Sequence, residues 1–94
     1  MNNRERLIIE SDKFGKIAKQ KLGYTAGKWL NIAFKLDYIS LDFKEKIDSL
    51  LRKKDEMQRF GVDYRITRRD VEDMIRITEI ASNTVFHEFQ LESV

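Results

Sequence analysis

The sequence predicts an all-α protein, a compact bundle of three to four helices, on three observations. The 94 residues contain no proline, where average usage gives about five. Proline costs about 3 kcal/mol in a helix interior, so its absence suits a mostly helical chain. Apolar residues recur at spacings of three and four along most of the length. Ser or Thr stands where three segments begin, and glycine where two end. Residues 1–94 read as one helical domain, with no linker, repeat or low-complexity tract.

The first segment runs from about Arg4 to Lys21, with Leu7, Phe14, Ile17, Ala18 and Leu22 near one stripe and Gly23 as its stop. Leu7-Ile8-Ile9 also reads as a short strand. The second runs from about Thr25, its N-cap, to Ile39. Trp29, Ile32, Ala33, Leu36 and Ile39 form its apolar stripe, opposite Lys28, Asn31, Lys35 and Tyr38. The third follows Ser40, an N-cap with Asp42 and Glu45 in the first turns, where acids suit the helix dipole. Phe43, Ile47, Leu50, Leu51 and Met57 form its core stripe, and Phe60-Gly61 ends it.

After an extended VDYRI connection, the fourth segment starts at Thr67, with Asp70 as capping-box partner. Val71, Met74, Ile75, Thr78, Ala81 and Val85 follow at helical spacing. Beyond Ala81 the pattern is divided: helix to about Phe89 is the reading taken, against an extended end. This segment is apolar over more than one stripe, so it is either the central helix or docked on a second chain. Ile77, Ile80, Phe86 and Phe89 are the candidate protein interface, and a homodimer is one expectation.

The composition excludes several chemistries. There is no cysteine, so disulfides, thiolate catalysis and cysteine-based metal sites are out. His87 is the single histidine, and the four glycines at 15, 23, 27 and 61 do not group into a phosphate loop. The acids sit at capping and intrahelical pairing spacings. A non-enzymatic protein without cofactor, metal or small-molecule substrate is expected. No apolar run approaches the roughly 18–20 residues of a membrane span. MNNRERLIIESDKF carries too short an apolar core for a secretory signal, so the cytoplasm is the expected compartment.

The net charge of +2 conceals an asymmetry. Lys13 to Leu36 holds six lysines and no acid; Asp70 to Val94 holds one arginine and six acids. A basic and an acidic pole are expected, the first attracting a nucleic acid or an acidic protein surface. Lys16, Lys19, Lys28, Asn31 and Lys35 are the candidate binding residues. Arg65, Arg68 and Arg69 are a second candidate anion site, at the start of the fourth helix. The bland alternative there is pairing of Arg68 with Glu72 and Arg69 with Asp73.

Ile17-Ala18, Leu22-Gly23, Trp29 and Ile32 resemble the helix-turn-helix of small repressors over about 20 residues. The resemblance implies that Lys28, Asn31 and Lys35 face a major groove, where lysine meets guanine or phosphate and asparagine pairs with adenine. The register departs by one residue: the family's small inner position falls on Lys19, and Ala18 lies one earlier. Trp29 is also bulkier than the usual valine or isoleucine. The basic face itself therefore carries the expectation of a small nucleic-acid-binding regulator. The alternative is a small protein-binding adaptor or inhibitor, of phage or plasmid type, acting on a larger protein machine.

Overall fold

A computed structural model describes residues 1–86. They form four helices: α1 (Asn3–Leu22), α2 (Ala26–Lys35), α3 (Leu41–Phe60) and α4 (Arg68–Asn83). Each start has a local cause. Asn2, Thr25 and Ser40 hold extended backbone, and their side-chain oxygens accept the N–H groups of Glu5, Lys28 and Phe43. These bonds satisfy amides that a helix otherwise leaves orphaned. At α4 the capping box is complete. Asp70 N–H donates to Thr67 Oγ at 3.1 Å, and Thr67 N–H donates to Asp70 Oδ2 at 3.0 Å.

Residues 7–9 are helix, not strand. The buried positions of α1 are Leu7, Ser11, Phe14 and Ala18, a spacing of four, three and four, while Ile9 points outward. Gly23 and Gly61 take the left-handed conformation, with φ of 71° and 66°, and end α1 and α3.

α2 stops earlier than its apolar pattern. Asp37 adopts φ 63°, the one described non-glycine residue with positive φ. Tyr38 N–H donates to Ala33 O at 2.9 Å and Asp37 N–H to Phe34 O at 3.0 Å. That is a Schellman closure with an aspartate in the place glycine usually takes. Ile39 thus enters the core from a turn. α4 also ends early, at Asn83. The Thr84 hydroxyl bonds Ile80 O, and the backbone turns extended. The expected run of helix to Phe89 is therefore corrected for residues 84–86. Phe89 lies outside the described residues.

One continuous core joins the four helices. α1 supplies Leu7, Phe14 and Ala18; α2 supplies Trp29, Leu30 and Ala33; α3 supplies Ile47 and Leu50; α4 supplies Val71, Met74, Ile77 and Ala81. Its most extensive contact is α1 against α4. Arg4 pairs with Asp63 at the start of α1, while Phe86, just past α4, packs on Trp29 in the first turn of α2, which follows the end of α1. The two helices therefore run in the same direction. α3 runs back along them, with Lys54 paired to Asp12 at 3.0 Å.

This packing accounts for part of the broad apolar face of α4. Ile77 is fully buried, so the expected protein interface is corrected at that residue; Ile80 and Phe86 are half-buried against the same core.

Candidate functional site

Most of the described cations divide into two populations; Arg6 and Arg65 stand apart, with no carboxylate within 4.0 Å among the described residues and no place on α2. Arg4, Lys13, Lys44, Lys46, Arg52, Lys54, Arg59, Arg68 and Arg69 each have a carboxylate within 4.0 Å. Lys53 and Arg76 lie over the rings of Tyr64 and Phe43. Lys16, Lys19 and Lys35 are exposed, with no carboxylate within that distance among the described residues. Lys28 is exposed as well, its ammonium 4.3 Å from the centroid of Tyr24. Lys16 and Lys19 occupy the outer face of the last turns of α1. Lys28, Asn31 and Lys35 line the outer face of α2, spanning about 10 Å of helix axis.

α2 holds this face outward because its other side is anchored. Trp29, Leu30 and Ala33 are fully buried, and Ile32 nearly so. Lys28 and Asn31 flank that anchor in sequence but project about 100° and 160° away from it around the helix.

The arginines are placed differently. Arg65 is exposed in the connection before α4, on a groove of about 450 Å³ shared with Asn2, Asn3, Arg4, Asp63, Tyr64 and Ile66. That groove lies at the N-terminal end of α1, whereas α2 follows its C-terminal end, so the two basic groups are not brought together. Arg68 stands 4.0 Å from Glu72, and Arg69 donates to Asp73 at 3.2 Å. The amides at the start of α4 face their own capping carboxylate, Asp70.

A buried ionic cluster here escapes sequence reasoning. Lys46 of α3 reaches Asp70 at 2.8 Å and Asp73 at 3.4 Å, and both aspartates are only 8% exposed. The expected acidic pole is thereby partly turned inward. Burial pushes the Asp70 carboxyl up. Hydrogen bonds from Lys46 and the Thr67 N–H, with the Lys46 charge, outweigh that and hold it below its ordinary 3.8. The Asp70 hydrogen bond raises the Lys46 ammonium above its ordinary 10.5, against some loss of hydration.

The sign of the linkage follows. The Asp70 contribution is present above the unfolded carboxylate value and is lost as pH falls through the lower folded value. The Lys46 contribution is present below 10.5 and is lost as pH rises through its higher folded value. Urea midpoints are expected to fall as pH drops from about 5 to about 2. Asp70→Asn should be less stable at neutral pH and lose less on acidification. An unchanged acid profile in Asp70→Asn would show that other carboxylates carry the acid sensitivity.

No group of three potential metal ligands occurs among the described residues, and no described helix is long and apolar enough to cross a membrane. Comparison with family models, curated proteins and solved structures gives no match to the chain.

Proposed function

We propose that the protein is a small non-enzymatic regulator that binds nucleic acid through the outer face of α1 and α2. One observation carries this reading: among the described residues, four exposed lysines with no carboxylate within 4.0 Å lie on α1 and α2, whereas the other such cations, Arg6, Lys53, Arg65 and Arg76, lie outside these faces or pack on a ring. Lys16, Lys19, Lys28 and Lys35 retain their full attraction for a polyanion, with Asn31 as a neutral donor and acceptor among them. Arg65, Arg68 and Arg69 are peripheral to this reading, because two of them already face carboxylates.

The test is fluorescence anisotropy of a labelled oligonucleotide as salt is raised. Four phosphate contacts predict an affinity loss of about 50-fold on a single strand, or about 150-fold on a duplex, between 50 and 200 mM. A salt-independent affinity, or none at low salt, overturns the reading.

The adaptor reading has one observation in its favour. Phe60 is 73% exposed, beside Val62 and near a groove formed with Ile8 and Met57. Exposed aromatics are enriched in protein interfaces. Its expected result is a protein partner retained from nuclease-treated lysate by the wild type and lost by Phe60→Ser; no such partner would count against it.

A further inference from the structure

Building on the nucleic-acid reading, we infer that the α2 face takes an unpaired strand rather than a duplex, with Tyr24 and Tyr38 as stacking platforms at its two ends.

The first support is what α2 lacks. A helix that reads a duplex enters the major groove with its N-terminal residues on base edges. Here those positions are Thr25, Ala26 and Gly27. The Thr25 hydroxyl oxygen already accepts the Lys28 N–H at 3.3 Å. Ala26 and Gly27 are half-buried and carry no side-chain hydrogen-bonding group. Of the leading turn, only Lys28 and the Thr25 hydroxyl proton are left to meet a base edge, fewer groups than a groove-reading helix presents.

The second support is what brackets the helix. Tyr24 precedes the N-cap and Tyr38 follows the Schellman turn; they are 37% and 41% exposed. Lys28, Asn31 and Lys35 lie between them. Lys28 sits over the Tyr24 ring, which places a cation beside an aromatic face, and no other described ring packs on Tyr24. Tyr38 leans on Phe86, at 5.2 Å between centroids and 60° between planes, and Phe86 rests on buried Trp29. That ring is thus braced by Phe86 on one side, in a residue that is 41% exposed. Cations tracking a backbone, with aromatic rings for splayed bases, are the combination that single-stranded nucleic acid requires. A stacked duplex offers no base faces to such rings.

The experiment compares a short labelled single strand of mixed sequence with the same strand annealed to its complement, at equal salt. The single strand is expected to bind more tightly. Tyr24→Leu, remote from the core, should weaken single-strand binding at least about fivefold and leave duplex binding unchanged. Tyr38→Phe, which keeps the ring on Phe86, should bind like the wild type. Duplex binding as tight as single-strand binding overturns this inference and leaves the nucleic-acid reading standing. So does a Tyr24→Leu variant with undiminished single-strand affinity. Binding to neither form overturns both.

Discussion

Trp29→Ala is expected to lower stability by about 3–5 kcal/mol, the range for deleting a buried large aromatic side chain. The indole is fully buried. Phe14 meets it edge to face, with centroids 5.5 Å apart and planes at 89°, and Phe86 covers it at 5.7 Å. The substitution removes the shared partner of both rings as well as its own volume, and α2 keeps Leu30, Ile32 and Ala33 as its buried anchors. Domains of this size have roughly 5–15 kcal/mol in total, so the variant approaches the unfolding threshold. Thermal melts followed by circular dichroism should show a drop of more than about 12 °C. A drop of only a few degrees would mean that α2 is not held through this cluster. The Trp29 N–H is buried without a partner among the described residues. Trp29→Phe removes that unsatisfied donor, which costs about 1–3 kcal/mol, and should be much milder than Trp29→Ala.

The double reversal Lys28→Glu/Lys35→Glu is expected to have the largest effect on binding. Both side chains are exposed and neither makes an ion pair among the described residues, so stability should change little. Binding should not survive so easily. Losing two of four phosphate contacts reduces the salt slope on a single strand by about 1.4, so the loss between 50 and 200 mM shrinks to about sevenfold. Two glutamates on the same face add repulsion, which lowers affinity further at every salt concentration. Arg59→Glu is the control. Arg59 is equally exposed but pairs with Asp55 at 2.9 Å, near the opposite end of the bundle, and its reversal should leave the slope unchanged. The double reversal removes about twice the charge of Arg59→Glu, so an Arg59→Glu loss about half as large in free energy would mean that only net charge matters.

Much of the fold is legible because its punctuation is local. Thr25, Ser40 and Thr67 cap where side-chain chemistry dictates, and Gly23 and Gly61 stop helices where only a left-handed residue fits. The end of α2 is hidden, because aspartate fills the left-handed position and the apolar pattern runs on through Leu36 to Ile39. The end of α4 is hidden for a similar reason: Val85 and Phe86 extend the apolar periodicity while the Thr84 hydroxyl closes the helix. Ile77 and Ile80 show the limit of periodicity. A helix packed on several sides and one docked on another chain carry the same broad apolar face, and only tertiary contacts separate them.

The candidate site divides the same way. Lys28, Asn31 and Lys35 share a face by spacing alone, and the pairing of Arg68 and Arg69 with acids one turn on is equally local. The contact of Lys46 with Asp70 and Asp73 joins two helices and leaves no trace in sequence spacing. Tyr24 is not marked by the sequence pattern; its exposure and its contact with Lys28 emerge only from the fold.

The central claim is that the outer face of α1 and α2 is where nucleic acid binds, and amide chemical-shift mapping tests it most directly. Adding a single-stranded oligonucleotide to the isotope-labelled protein should shift the amides of Lys16, Lys19, Tyr24, Lys28, Asn31, Lys35 and Tyr38. The amides around Phe60 to Arg69 should stay in place. Shifts confined to Phe60 to Arg69, or none at low salt, would contradict it.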